Sequence, residues 1–343
     1  MTVSIAAASS NVNQPAELAT VIGHLRDNFD SPLLHLDGPA ARLTGGFWAE
    51  MWTLALTGHA DPVAPNRVVL RLAPDARLAT RETTIQAGVA AQGYPTPRVY
   101  ATAGSQDGMR AWCVMEFANG HPLLGGLNGI RAITALPRLA TGLPDTLAKV
   151  AVELHRLNPD PIVAALAAIG ETESGVDEIL EHHHARAVEL SDERLARVVE
   201  QLAAGRPVAG RPVICHGDLH PFNVLTDNGH RVVLDWTAAR LAEPACDLAF
   251  THLLLANPPL TAPAVLRPII NKAATRIANR FIATYAKLSG TTIERERVDW
   301  YRKLHATRIL LELAGWRTDN TADQHTGHPW FQMEPGLRNL VGI

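Results

Sequence analysis

Lysine is almost absent from this chain. Of the 31 basic residues among 343, 27 are arginines, and the four lysines lie in the second half or close to it: Lys149, Lys272, Lys287 and Lys303. Any role that needs a cation in the first 148 residues must therefore fall to arginine or histidine. The formal net charge is only -3, so the composition gives no sign of the strongly basic face typical of a nucleic-acid partner.

Cysteine and long apolar segments are also scarce. The three cysteines, Cys113, Cys215 and Cys246, are widely spaced and form no CxxC pair, which excludes a zinc ribbon and a disulfide framework. The sequence has no run of about 18 apolar residues that could cross a membrane. Its first residues lack the basic and apolar regions of a signal peptide. These absences predict a soluble, cytoplasmic protein without a membrane partner.

The length and the distribution of apolar residues predict two lobes. A chain of 343 residues exceeds the usual size of one domain. Four short apolar runs bounded by turn residues predict strands in the first third: Met51–Leu56, Arg67–Leu72, the run PRVYAT, and Trp112–Phe117. One helix is predicted over Arg81–Pro95, which contains Gly93 near its end. We therefore predict an α+β fold with a small antiparallel-sheet lobe over residues 1–118.

The remaining residues, 119–343, are predicted to form a larger helical lobe. Apolar residues recur at helical spacing in two segments: Leu147, Val150, Ala151 and Leu154, and then Leu195, Val198, Val199 and Leu202. Ser191 is the predicted N-cap of the second of these helices. Further helices are predicted over about Ala264–Leu288 and Ile293–Trp316.

The segment VICHGDLHPFNVLTDNGHRVVLDW, residues 213–236, contains the residues with the clearest chemical role. Asp218, Asn223 and Asp235 each follow or end an apolar run, and the Asn-Gly pair within TDNG predicts a tight hairpin. The apolar runs before Asp218 and before Asp235 are predicted to pair, which would bring the three side chains together at one end of the hairpin. Carboxylate and amide oxygens without a thiol suit magnesium, which commonly also binds substrate phosphates. This set predicts phosphoryl transfer, whereas for Asn228 ordinary turn chemistry is the better interpretation.

The motif HGDLHPFNVL followed by VVLDW resembles the catalytic and metal-binding segments of the aminoglycoside phosphotransferase and choline kinase group, whose members share the protein-kinase fold. The resemblance implies that Asp218 is the catalytic base and that Asn223 and Asp235 hold Mg²⁺. It also implies that His216 and Asp247 support the catalytic loop. ATP would be the co-substrate.

The nucleotide-binding residues that the resemblance implies are less specific. They are Gly45 and Gly46 in a glycine-rich loop, Val69 and Arg71 on a strand, Glu82 on the next helix, and Glu116, Phe117 and Ala118 at a hinge. Each also has an ordinary structural interpretation, such as a plain hairpin, a core strand with its turn, or a solvated strand residue. Arg71 stands where the family has lysine, and Glu82 would be its ion-pair partner. Arginine keeps the charge but differs in shape.

These observations predict a two-lobed, kinase-like enzyme that moves the γ-phosphate of ATP to a hydroxyl of a small molecule. The acceptor is expected between the catalytic loop and the helices around 175–205 and 262–316. The alternative is a catalytically silent nucleotide- or metabolite-binding module on the same fold, favoured only by Arg71. A metal-dependent hydrolase is a third possibility, disfavoured because Asn223 and the hinge-like strand would then have no role.

Overall fold

The computed structural model describes residues 4–5, 13–44, 49–61, 64–104, 109–125, 130–171, 175–258, 265, 267–319, 321–325 and 328–343. Within these residues, no helix is both long enough and apolar enough to span a membrane. The chain divides into two compact units by packing. The first comprises 1–127, 160–171 and 221–239, and the second comprises 128–159, 172–220 and 240–343.

This division differs from the predicted lobes in three places. Residues 119–127, 160–171 and 221–239, which the sequence assigned to the helical lobe, belong to the first unit. The division into lobes at residues 118 and 119 therefore stays a prediction. By packing, however, Asn223 and Asp235 belong with the sheet, whereas Asp218 belongs to the second unit.

The first unit is built around an antiparallel sheet with the strand order β1-β3-β4-β5-β7-β6, in which β2 also pairs with β4. Its strands are β1 (Ser4–Ile5), β2 (His35–Leu36), β3 (Ala41–Thr44), β4 (Glu50–Thr57), β5 (Arg67–Ala73), β6 (Val99–Ala103) and β7 (Ala111–Glu116). Three of its helices are α1 (Leu18–Asn28), α2 (Ala76–Ala91) and α4 (Asp160–Ala168). The four predicted strands of this region are all present.

The two faces of the sheet differ because side chains alternate along each strand. On β5, Val68, Leu70 and Leu72 join the apolar core that includes Val21 and Leu25 of α1. Val69 and Arg71 consequently point to the opposite face. Helix α1 was not predicted, since it lies in a stretch where neither motif nor resemblance gave a signal.

Helix α2 begins at Ala76 rather than at Arg81 as predicted. The side chain of Asp75 accepts a hydrogen bond from the Leu78 N–H at 3.0 Å, which caps the helix one turn before the predicted start. The helix ends at Ala91, and Gly93 adopts a left-handed φ of 81°. Glycine adopts this conformation at little cost, so it ends the helix as the sequence predicts.

A three-stranded sheet of β8 (His121–Pro122), β10 (Val224–Asp227) and β11 (His230–Val233) completes the first unit. Asn228 and Gly229 connect β10 to β11 with φ values of 47° and 87°, the left-handed pair that the Asn-Gly signal predicts. Beyond β11, the buried indole of Trp236 donates a hydrogen bond to Thr96 Oγ1 at 2.8 Å. This contact attaches the hairpin to the segment before β6.

The second unit is mostly helical. Its helices are α3 (Ile130–His155), α5 (Val176–Glu189), α6 (Glu193–Ala204), α7 (Pro244–Ala256), α8 (Arg267–Ser289), α9 (Arg295–Thr318) and α10 (Pro329–Val341), with a short 3-10 helix over Ala322–His325. Ten residues of α7 are buried, so this helix lies inside the core of the unit. The predicted helices at 264–288 and 293–316 correspond to α8 and α9.

The start of α6 corrects one prediction. Asp192, not Ser191, is the N-cap, because its carboxylate accepts hydrogen bonds from the N–H groups of Arg194 and Leu195. Ser191 instead adopts a left-handed φ of 55°. The predicted apolar stripe of this helix is buried as expected.

The strand before the HGD motif also differs from the prediction. β9 (Val213–Cys215) pairs with β12 (Arg240–Ala242) in a separate two-stranded sheet, and not with the strand that precedes Asp235. The hairpin around Asn228 is instead formed by β10 and β11. The prediction merged two sheets because a short apolar run does not reveal its partner strand.

Candidate functional site

The loop after β9 is anchored through its backbone. Asp247, in the first turn of α7, accepts hydrogen bonds from the N–H groups of His216 (2.7 Å) and Gly217 (2.6 Å). Gly217 has a φ of 75°, a conformation that glycine adopts readily. The ring Nδ1 of His216 accepts a hydrogen bond from the Asp218 N–H at 3.3 Å. The chain is thereby held at the turn that leads into Asp218.

Asp247 has a further partner that sequence reasoning missed. His155, the last residue of α3, lies with Nε2 3.2 Å from the Asp247 carboxylate and Nδ1 2.8 Å from the hydroxyl of Tyr285. Burial alone would raise the pKa of Asp247, but His155 and the loop N–H groups lower it. Cys215 lies within 4.8 Å of this pair. Because both oxygens of Asp247 already accept backbone N–H groups, the cluster serves as a hydrogen-bonded anchor.

Asp218 itself is only partly covered. Its side chain is 26% exposed, and one carboxylate oxygen lies 3.5 Å from His220 Nε2. Burial raises the pKa of Asp218, but the contact with His220 and the charge of Arg308 outweigh that effect, so the pKa lies below its ordinary value. The carboxylate is consequently ionised at neutral pH and can accept a hydrogen bond or a proton.

In the first unit, Asn223 and Asp235 lie at the open end of the β10–β11 hairpin. The backbone C=O of Asn223 accepts a hydrogen bond from the Leu234 N–H at 2.8 Å, so the two strands remain paired up to this point. Asp235 is exposed and has a left-handed φ of 65°, a conformation that is rare outside glycine. This backbone turn directs Asp235 out of the strand on which it was expected to lie.

Arg71 bridges a carboxylate and a hydroxyl. One arm of its guanidinium group forms an ion pair with Glu82 of α2, and the other donates a hydrogen bond to Thr237 Oγ1 at 3.1 Å. The Thr237 hydroxyl in turn donates to Asp235. The four side chains therefore form one chain of polar contacts that ends at the exposed carboxylate.

Burial shapes the charges in this chain. It would lower the pKa of Arg71, but the charge of Glu82 more than offsets the effect and raises it. For Glu82, burial raises the pKa and Arg71 lowers it, and the net shift is upward. Arginine keeps its proton in proteins. Arg71 and Glu82 therefore form a charged, hydrogen-bonded pair. Thr237 was missed, although a hydroxyl residue two positions after an aspartate is a recognisable turn signal.

The other predicted nucleotide residues fall at several places. Val69 is buried on the same face of β5 as Arg71. Glu116 is exposed at the end of β7, and its backbone N–H donates to the Arg98 carbonyl at 2.8 Å. Phe117 and Ala118 follow it and are partly buried, and the ring of Phe117 lies under the Arg67 guanidinium. Gly45 and Gly46 lie outside the described residues.

Comparison with known proteins places the chain in a family. Residues 54–301 match the phosphotransferase enzyme family, which is more than half of the chain. The chain belongs to this family. Its predicted enzyme class, phosphotransferase, and the resemblance to the aminoglycoside phosphotransferase group are therefore confirmed.

Solved structures of the same fold support the membership. A candidate aminoglycoside phosphotransferase from Ralstonia eutropha superimposes with a TM-score of 0.64 at 18% identity, covering 94% of this chain and 95% of that one. A thermostable mutant of aminoglycoside phosphotransferase APH(4)-Ia, in complex with ADP and hygromycin B, gives a TM-score of 0.56 at 17% identity, covering 94% and 98%.

A macrolide 2'-phosphotransferase from Brachybacterium faecium gives a TM-score of 0.52 at 17% identity, covering 93% of this chain and 99% of that one. No curated protein matches the chain. These neighbours confirm the kinase-like α+β fold that the sequence predicts for this phosphotransferase family member. Because fewer than one residue in five is identical, the similarity to them concerns the fold alone.

Proposed function

We propose that the protein transfers the γ-phosphate of ATP to a hydroxyl group of a small molecule, with magnesium. The observation that carries this proposal is the anchored loop that presents Asp218 as an ionised and partly exposed carboxylate. Membership of the phosphotransferase enzyme family supports the reaction class. That a structure of the same fold holds ADP together with hygromycin B supports a nucleotide and a small hydroxylated acceptor as the two substrates.

In this proposal Asp218 is the catalytic base. Its carboxylate accepts the hydrogen bond of the acceptor hydroxyl and takes the proton as the oxygen attacks the γ-phosphorus. The new O–P bond forms while the bond to the bridging oxygen of ADP breaks, so ADP leaves with the electron pair. Asp247, through the His216 and Gly217 N–H groups, would hold the loop in place during this step.

The residues present fit magnesium. Asn223 offers an amide oxygen and Asp235 a carboxylate at the same end of one hairpin, and hard oxygen donors are the ligands that magnesium prefers. One oxygen of Asp235 already accepts from Thr237, and the side chain is exposed, so the other oxygen is available to a metal. Bound there, magnesium would neutralise charge on the phosphate oxygens.

Arg71 would offset further phosphate charge, oriented by Glu82. Val69 and the hinge residues Glu116, Phe117 and Ala118 would bind the base of the nucleotide, and the glycine pair at 45 and 46 would cover its phosphates. Arg71 lies on the same face of β5 as Val69, which supports a common site for the base and the phosphates.

The proposal is tested by incubating purified protein with ATP, magnesium and a panel of hydroxyl-bearing metabolites and antibiotics. We expect nucleotide consumption that requires both magnesium and one class of acceptor. Magnesium-dependent nucleotide binding without transfer to any acceptor would instead support the catalytically silent module.

Asp235→Asn is expected to raise the half-saturating magnesium concentration about tenfold, because the affinity of an oxygen site depends on the charge of its ligands. Calorimetric titration of nucleotide at several magnesium concentrations measures this shift. Asp227→Asn, in the nearby hairpin turn, is the matched control. Equal magnesium dependence in the wild type and Asp235→Asn would contradict the assignment of Asp235 as a ligand.

A further inference from the structure

Helix α9 carries two charged side chains whose lack of partners is unusual for their burial. Arg308 and Glu312, one turn apart, are both partly buried, and neither forms a hydrogen bond or an ion pair in the part of the chain that the structure describes. The Arg308 guanidinium instead lies over the Phe250 ring at 4.9 Å, and its Nε is buried without an acceptor. Burying an unpaired charge is costly, which suggests that a ligand supplies the missing contacts.

Arg308 lies close to the Asp218 loop: it stacks on Phe250 of α7, and the adjacent Thr251 donates a hydrogen bond to the carbonyl of Leu219, the residue after Asp218, at 2.7 Å. The charge of Arg308 lowers the pKa of Asp218, and Asp218 in turn favours the charged form of Arg308. Burial raises the pKa of Glu312, although Arg308 and Arg186 oppose that shift. Because residues four apart lie on the same helix face, an acceptor that contacts Arg308 can also contact Glu312.

The charges in this region do not suit a polycation. Two carboxylates near the end of α9 are already paired: Glu334 with Arg317 and Arg338, and Asp319 with Arg186. Among the described residues that act on Arg308, Arg240 adds a second positive charge. Among the described residues whose charges act most on Arg308, the carboxylates are Asp218 and Glu312, so a polycationic acceptor would have to approach Arg308 against its own charge.

We propose that the acceptor is a polyhydroxylated compound without positive charge, such as a sugar, a polyol or the acid of either, held between Arg308 and Glu312. Arg308 donates hydrogen bonds to hydroxyl or carboxylate oxygens of the acceptor, and Glu312 accepts from a second hydroxyl. This assignment rests on the proposed function, since it places the acceptor at Asp218. Arg308 and Glu312 would then determine which acceptors the protein binds.

Competition between acceptors tests the class. Uncharged sugars and polyols, their acids, and aminoglycosides are offered separately at equal concentration with ATP and magnesium, and kcat/KM is compared. We expect transfer to the uncharged compounds or to the acids, with a lower kcat/KM for aminoglycosides. The separate assays of uncharged compounds and acids show which of the two is the acceptor. Higher kcat/KM for aminoglycosides, or no transfer to sugars, polyols and acids by protein that binds nucleotide, would overturn the inference while leaving the proposed function standing. Failure of magnesium-dependent nucleotide binding would overturn the proposed function itself.

Arg308→Gln is expected to raise the acceptor KM about tenfold, because a charge-assisted hydrogen bond is lost. The KM for ATP should not change, and Arg308→Lys should recover part of the loss. Arg302→Gln is the matched control, since Arg302 lies on the same helix and is partly buried but bonds to Asp299. An unchanged acceptor KM in correctly folded Arg308→Gln would reject Arg308 as an acceptor-binding residue.

A second inference rests on separate contacts in the first unit. Thr237 accepts a hydrogen bond from the second arm of Arg71 and donates to Asp235. Lysine, with a single ammonium group, could not hold Glu82 and reach Thr237 with the same fixed fork. We propose that Thr237 is a positioning residue that couples Arg71 to Asp235, and that it matters because arginine stands at position 71. This inference also rests on the proposed function.

A double-mutant cycle tests this coupling. Thr237→Val should raise the half-saturating magnesium concentration roughly tenfold, because the hydroxyl bonds to two charged groups, with adenosine affinity unchanged. Thr237→Ser should restore it. In the Arg71→Lys background, Thr237→Val should raise the half-saturating magnesium concentration by a smaller factor than in the wild type, because the guanidinium arm that bonds to Thr237 is already absent. Fully additive effects of the two substitutions, or no rescue by serine, would reject the coupling. If the wild-type protein does not bind nucleotide with magnesium, the proposed function is rejected instead.

Discussion

Replacing Asp218 by asparagine is expected to lower kcat by about 10²–10⁴, the usual range for loss of a general base. The amide has nearly the same shape as the carboxylate but cannot take the proton of the acceptor hydroxyl. Because Asp247 fixes the loop through the His216 and Gly217 backbone, the substitution should leave the fold intact. Steady-state kinetics with an acceptor found in the screen measures the effect.

Nucleotide affinity provides the internal control for this variant. ATP with magnesium should bind Asp218→Asn nearly as it binds the wild type, since the proposed metal ligands are Asn223 and Asp235. Wild-type turnover in the variant would remove Asp218 from the role of base. A comparable loss of turnover in Asp227→Asn, an exposed aspartate in the hairpin turn, would show that the effect is not specific to position 218.

Removing the guanidinium group with Arg71→Ala is expected to weaken ATP binding or slow transfer by about 10–150-fold. This range corresponds to the 1.5–3 kcal/mol of a hydrogen bond to a charged group. Adenosine has no phosphates and should bind almost as before. Arg71→Lys should recover only part of the loss, because a point charge cannot reproduce the two-armed contact with Glu82 and Thr237.

The comparison of ATP with adenosine distinguishes the possible roles of Arg71. Since Arg71→Ala leaves the buried Glu82 without its partner, thermal unfolding should be measured alongside, and Arg71→Gln provides a polar variant of similar length. Arg42→Ala, an arginine on the same sheet with a half-exposed side chain, is the control. If ATP and adenosine both keep wild-type affinity in folded variants, Arg71 does not contact phosphate and the silent module gains support.

The parts of the fold that the sequence predicts are those that local chemistry decides. Alternating apolar residues in β4, β5 and β7 and the Asn228–Gly229 turn need no distant partner to be recognised, and these elements are all present. The N-cap of α6 was wrong by one residue because serine and aspartate both cap helices, and only the backbone conformation distinguishes them. The start of α2 was missed because a capping aspartate resembles any turn residue.

Residues brought together by tertiary packing could not be predicted in the same way. His155 contacts Asp247, which lies 92 positions further along the chain. β9 pairs with β12, a strand that is not its neighbour in the sequence. Within the described residues, Arg308 differs from the other arginines of α9 in that it forms no hydrogen bond or ion pair, which its position in the helix does not reveal. The motif at 213–236 was recognisable because its residue types and spacing are themselves the chemical signal.

The placement of the hairpin with the sheet has a consequence for how this protein can evolve. Arg71, Glu82, Asn223, Asp235 and Thr237 all belong to one packing unit, whereas Arg308 and Glu312 belong to the other. If Arg308 and Glu312 bind the acceptor as proposed, substitutions on α9 can alter the choice of acceptor without changing the residues proposed for nucleotide and metal. Selection for a new acceptor should first change residues of the second unit, and such variants should keep the parental affinity for ATP.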